Sequence, residues 1–204
     1  MKDTYKTITK PSAEVLFKDK NSKFFGYAFP VHSENDVKQC LETIKKQHHS
    51  ARHWCYAYQI GTEEHSLLFR ANDDGEPNNS AGMPIYGQIQ SFEVTNVLII
   101  VVRYFGGVKL GVSGLINAYK TSAQMAMEAS KIVTKTINKT FLVSCDYKNL
   151  NTVMRVIKER NLNVVDQKLE LDCQITLSVR LKESEDVFDT FKRLHEISIK
   201  EISS

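Results

Sequence analysis

Four glycines fall within nine residues at Gly106, Gly107, Gly111 and Gly114, and Lys109 sits among them. Glycine lets a backbone turn sharply and approach a partner closely. A helix starting there would present free N–H groups, and with a lysine beside them they suit an anion such as a phosphate. The stretch is not a Walker A loop, because no Gly-Lys-Ser/Thr follows it. Asp73-Asp74-Gly75-Glu76-Pro77 is the densest polar cluster. Its carboxylates could hold Mg²⁺ through one or two ligands, although the spacing is not that of an EF-hand loop. The simpler reading is a turn, with Gly75 at positive φ, Pro77 stiffening the exit and the acids capping nearby N–H groups.

Other pairings carry less chemistry. His49 and His53 have a spacing that suits a metal on a helix, but a change from helix to strand is expected between them. His53 and Cys55 share a strand face, yet two ligands do not make a metal site and no acid orients the pair as a nucleophile. Arg52, Arg70, Arg103, Lys109 and Lys120 are the cations nearest the glycine and acid motifs, interleaved with Trp54, Tyr56, Tyr104 and Phe105. Cations beside aromatic faces are what single-stranded or looped RNA uses. The competing reading makes the aromatics core and pairs the cations with Asp73, Asp74 or Glu76.

The elements that must position these residues read as follows. After Asn96, Val97–Val102 leads towards the glycines as an unbroken, mostly β-branched apolar run, long enough for a buried strand. Glu14–Asp19 and Phe24–Val31 read as strands joined by residues 20–23. Ser33, with Asp36 three residues later, is a capping box. The helix it opens puts Val37, Cys40, Leu41, Ile44 and His48 on one face. His53–Ile60 alternates, with Trp54, Tyr56, Tyr58 and Ile60 on one side. Ser66–Arg70 pairs with it across residues 61–64, and a polar loop runs from Ala71 to Gly82. The helix after Gly114 has a polar stripe of Asn117, Thr121, Gln124 and Glu128, with Leu115, Ile116, Tyr119, Ser122, Ala123, Ala126 and Met127 covering the rest.

All nine glycines precede residue 115, which implies two structural units with a boundary near Thr134 to Lys139. In the second, Phe141-x-Val143-x-Cys145, Val164, Cys173 to Leu181 and Ile197-x-Ile199 are strands. Leu150, Val153, Met154 and Ile157 form one helical stripe, and Val187, Phe188, Phe191 and Leu194 form another. The order is βαββαβ, the ferredoxin-like plan.

The 204 residues are 42% hydrophobic and 25% charged, as in an ordinary globular protein. No apolar stretch approaches the ~20 residues of a membrane span, and no secretory signal is visible at the start. Four cysteines without Cys-x-x-Cys spacing read as reduced thiols of a cytoplasmic protein. Residues 1–135 hold 16 Lys and Arg against 13 Asp and Glu, and residues 136–204 hold 11 against 11, so the whole net charge of +3 falls in the first part. That excess is compatible with nucleic acid but does not argue for it.

Three blocks, taken together, carry a resemblance. They are Ala51-Arg52-His53-Trp54-Cys55-Tyr56-Ala57-Tyr58, then Asp73-Asp74-Gly75-Glu76-Pro77 through Ala81-Gly82-Met83-Pro84, then Arg103-Tyr104-Phe105-Gly106-Gly107-Val108-Lys109-Leu110-Gly111. On these the chain resembles the YigZ/Impact family over roughly residues 15–125. It departs from the family pattern at Asn79-Ser80, where Gly-Thr is usual, and at Ser113 and Asn117, where Gly and Arg are usual. The resemblance implies an α+β protein of two domains. Residues 1–135 would be a ribosomal-protein-S5-domain-2-like β/α domain, and residues 136–204 a ferredoxin-like βαββαβ domain. Eukaryotic Impact proteins regulate translation by competing for an activator of a stress-responsive kinase. They do so with an extra N-terminal domain, which this sequence is not expected to carry.

The expectation is a cytoplasmic protein associated with RNA or the ribosome, with a translation-linked role and no catalysis, cofactor or membrane partner. A protein partner in translation control is also conceivable. Arg52, His53, Arg103, Gly106, Gly107, Lys109, Gly111 and Lys120 would contact nucleic acid or another anion, and Asp73, Asp74 and Glu76 would form a metal or polar site. The alternatives are an enzyme acting on a phosphorylated small molecule or nucleotide through Gly106–Gly114, and a protein-interaction module.

Overall fold

The structure, a computed structural model, describes residues 3–62 and 67–202. Contacts divide the chain into one unit of Tyr5–Lys135 and another from Thr136 onward, which also takes in Asp3 and Thr4.

The first unit is built on a five-stranded sheet. Its strands are β2 (Val15–Asp19), β3 (Ser22–Pro30), β4 (His53–Ile60), β5 (Leu68–Asn72) and β6 (Val97–Tyr104). They lie in the order β2-β3-β6-β4-β5, and each neighbouring pair is antiparallel. The apolar run therefore forms the central strand. Val97, Ile99 and Val101 face one core while Leu98, Ile100 and Val102 face another, and all six are fully buried. Each is worth about 1.5–3 kcal/mol relative to exposure. An antiparallel strand is buried on both faces here because helices cover both sides of the sheet. Helix α1 (Glu34–Gln47) lies on one side, and α2 (Gly82–Ser91) and α3 (Gly111–Glu128) lie on the other. A two-stranded sheet, β1 (Thr4–Ile8) with β7 (Ile132–Thr136), completes the unit.

Local chemistry explains the boundaries. The β2–β3 turn is Lys20-Asn21 alone, both at positive φ, with Asp19 paired to Ser22. Ser33 caps α1 through the N–H of Asp36, and the Asp36 carboxylate accepts from the N–H groups of Ser33 and His32. These bonds, led by that of His32, hold the Asp36 carboxyl below its usual range.

Four expectations are corrected. The strand placed at Ser66–Arg70 runs over Leu68–Asn72, with Ser66, Glu63 and Glu64 outside the described residues. Ala71 and Asn72 thus belong to a strand, and the polar loop ends where α2 begins, a helix the sequence reading did not contain. The helix placed after Gly114 begins at Gly111, so the glycine turn covers only Gly106–Leu110. Ile116 faces solvent, because the buried stripe of α3 is Leu115, Ala118, Tyr119, Ser122, Ala123, Ala126 and Met127.

The second unit has β8 (Asn138–Asp146), α4 (Leu150–Glu159), β9 (Asn163–Lys168), β10 (Asp172–Arg180), α5 (Ser184–Lys192) and β11 (Ile197–Ile202). Its sheet order is β11-β8-β10-β9, antiparallel throughout, which is the ferredoxin-like arrangement. Val143, Cys173, Ile175, Leu177, Val153, Val187 and Phe191 form its core. In α4, Val156 rather than Met154 is buried. Asp3 ties the start of the chain to this unit by pairing with Arg180 and accepting from the N–H of Ile137.

Candidate functional site

One end of the five-stranded sheet gathers most of the residues singled out in the sequence. Antiparallel register sets Lys23 opposite Tyr104, and sets Phe24 and His53 on either side of Arg103. Directly beyond β6, Gly106 lies against the β2–β3 turn. Its N–H donates to Ser22 Oγ at 3.1 Å, and a Cβ there would come within 2.1 Å of the Asn21 backbone. Gly107 and Gly111 have φ of +87° and +74°. Helix α3 then starts with no side-chain cap and no acid in its first turn, so its N–H groups stay open to an anion. Phe105, Val108, Lys109 and Val112 are exposed around this start.

Arg103 departs from the surface role expected of it. It points to the α2–α3 side, where its Nη1 donates to Glu76 Oε1 at 2.6 Å, with side-chain exposures of 8% and 4%. The Tyr119 hydroxyl donates to the same oxygen at 2.8 Å. The guanidinium is flanked by the rings of Phe24 and Phe105, and its Nε finds no acceptor. Arg103 is thus an internal clamp joining β6, the acidic loop and α3. Burial, helped by Cys55 and Glu76, pushes the Tyr119 hydroxyl far above its usual range, and burial does the same to the Cys55 thiol. Cys55 is a buried thiol that donates to the carbonyl of Asp73, which makes it inert as a nucleophile.

The acidic loop takes the form of a capped turn. Asp73 accepts from the N–H groups of Asn79, Ala81 and Gly82, closing the start of α2 from a distance. Asp74 accepts from the N–H of Trp54, and its carbonyl accepts from His53 Nδ1 at 2.8 Å. His53 therefore carries its proton on Nδ1. Among the described residues, no three His, Cys, Asp or Glu side chains are placed to hold a metal ion. Arg52 is exposed just before β4. Lys120 stands apart, nine residues beyond Gly111 and so about 13 Å along α3. There it lines a groove with Pro84, Gln88, Phe92 and Ile116.

Sequence reading missed a second cluster on the α1 side of the same end. His48, placed among the core residues of α1, is buried but fully hydrogen-bonded. The Tyr27 hydroxyl donates to the Glu14 carboxylate, so His48 Nε2–H must donate to Tyr27, and His48 Nδ1 accepts from the Tyr104 hydroxyl at 3.0 Å. Gln47 also donates to Glu14 and Tyr27. Burial holds His48 below the usual histidine range, against the opposing pull of Glu14. The unfolded chain therefore takes up this proton first as pH falls below about 6.5. The contribution of His48 to stability is complete above that pH and is lost on acidification towards its lower folded value. His48→Gln is expected to flatten the loss of stability between pH 7 and 5, measured by urea titration at each pH.

The fold and site define a two-domain α+β protein, with a helix-covered antiparallel sheet bearing a glycine turn and a ferredoxin-like unit after it. The chain belongs to the IMPACT family: the family's Impact N-terminal domain matches residues 20–127. An IMPACT family member of Haemophilus influenzae is 30% identical over 174 residues, spanning 84% of each chain. The Bacillus subtilis member YvyE is 33% identical over 159 residues, covering 78% of this chain and 72% of its own. A crystal structure of a hypothetical protein matches all of both chains with a TM-score of 0.73 at 21% identity, which bears on the fold alone. Among the described residues no helix is long and apolar enough to cross a membrane.

Proposed function

We propose that this is a cytoplasmic RNA- or ribosome-associated protein with a translation-linked regulatory role. It would meet RNA with the end of the sheet where the Gly106–Leu110 turn adjoins the β2–β3 turn. One observation carries the reading: the acids of the 73–76 loop turn inward, while several cations at this end stay exposed. Asp73, Asp74 and Glu76 are committed inward, to backbone N–H groups and to Arg103. Lys20, Lys23, Arg52 and Lys109 are left exposed at this end of the sheet, and α3 starts at the same end. Exposed cations and free helix N–H groups suit successive phosphates. The link to translation rests on the resemblance to Impact proteins and on membership of that family.

An enzyme acting on a phosphorylated small molecule would use the same turn. Gly111 to Gly114 form the first turn of α3, and the acids that would serve such an enzyme already have partners.

Lys109→Ala is expected to weaken binding of a single-stranded RNA oligonucleotide. The slope of log affinity against log salt should become shallower by about 0.7, as for one lost phosphate contact. Fluorescence anisotropy across a KCl series measures both. Absence of RNA and ribosome binding at low salt would overturn the reading.

A further inference from the structure

The α1 side of this end carries an open groove of about 410 Å³ lined by Asn21, Lys23, Phe25, His48, Tyr104 and Phe105. We propose that it is a stacking subsite for a nucleobase of single-stranded RNA, an inference that rests on the RNA reading above.

Its size falls within the range of small-ligand sites. Its walls are aromatic and held in place. Tyr104 is fixed through its hydroxyl by the chain His48–Tyr27–Glu14, and the Phe25 ring stands edge-on to it, with centroids 5.7 Å apart and planes at 79°. Phe25 also packs on His48 at 5.0 Å. Phe105 is 56% exposed, an unusual state for a phenylalanine, yet the buried Arg103 guanidinium lies 5.5 Å from its ring centre and backs it. Aromatic faces already held in place lose little side-chain freedom when a base stacks on them.

The polar groups fit the same occupant. Lys23 lies on the rim, with exposed Lys20 and Lys109 on the adjoining turns, so a base in the groove would have its phosphates beside cations. Asn21 supplies an amide to a base edge. The Glu14 carboxylate, on the same side, is hydrogen-bonded by Tyr27 and Gln47. Stacking with few edge contacts implies a preference for bases over bare backbone and little choice among bases.

The test uses the full chain and two fluorescent ten-nucleotide probes: oligouridylate, and an abasic strand with the same phosphates. Oligouridylate is expected to bind more tightly than the abasic strand. Phe105→Ala should weaken oligouridylate binding by about 5- to 150-fold and leave abasic binding and the salt slope unchanged. Phe105→Tyr, which keeps the ring, should retain the preference for bases. Equal binding of the two probes, or equal loss of both in Phe105→Ala, overturns the subsite while leaving phosphate contact standing. Failure of both probes to bind the wild-type chain overturns the RNA reading and the subsite together.

Discussion

Glu76→Ala is expected to destabilise the first unit by about 3–5 kcal/mol, because it strands the buried Arg103 charge without its partner. The Tyr119 hydroxyl loses its acceptor in the same step. Glu76→Gln can keep the Tyr119 bond but not the charge, so it should remain strongly destabilised. Arg103→Ala leaves the complementary carboxylate buried and should cost a comparable amount. Replacing both together, Glu76→Leu with Arg103→Met, removes both desolvated charges and should cost far less than the sum of the single changes. Trp54 is the only tryptophan and lies on β4, so its fluorescence in a urea titration follows this unit alone. Single variants close to wild-type stability would remove the clamp from the account.

Gly106→Ala is the second large effect. The three atoms nearest the added Cβ, at 2.1–2.3 Å, all belong to the backbone of Asn21 and Ser22. No rotamer change relieves a clash with backbone. The turn it strikes is already committed, with Lys20 and Asn21 at positive φ and Ser22 paired to Asp19. A cost of about 1–3 kcal/mol or more is expected, with loss of RNA binding as the two turns separate. Gly87→Ala is the control. No atom lies within 4 Å of a Cβ there, and the position is inside α2, so helix propensity should make that change stabilising by up to about 1 kcal/mol. The same urea titration reads both.

Where a residue pattern is local, the sequence disclosed the structure. The Ser33–Asp36 capping box, the alternation of β4 and the βαββαβ order of the second unit each depend on neighbours a few residues apart. Helix α2 escaped because Gly82, Pro84 and Gly87 mimic loop punctuation, and because burial of both Ile85 and Tyr86 blurs any single apolar stripe. The start of α3 reads as turn in the sequence because its first residues include Gly111 and Gly114. Arg103 shows a subtler failure. Residues 97, 99, 101 and 103 share a face, but an apolar run buried on both sides hides which face is which. Its pairing with Glu76 could not be seen. The His48 cluster joins residues 14, 27, 48 and 104, brought together only by the sheet order, and no local signal announces it.

The most direct test of where RNA meets this protein is photocrosslinking. The full chain would be irradiated with single-stranded RNA carrying 4-thiouridine, and the attachment sites mapped by mass spectrometry. The expected crosslinks fall in Lys20–Phe25 and Tyr104–Lys109, and they decline with salt. Crosslinks confined to the α2–α3 groove around Phe92 and Ile116, or to residues 136–202, would contradict the proposed surface.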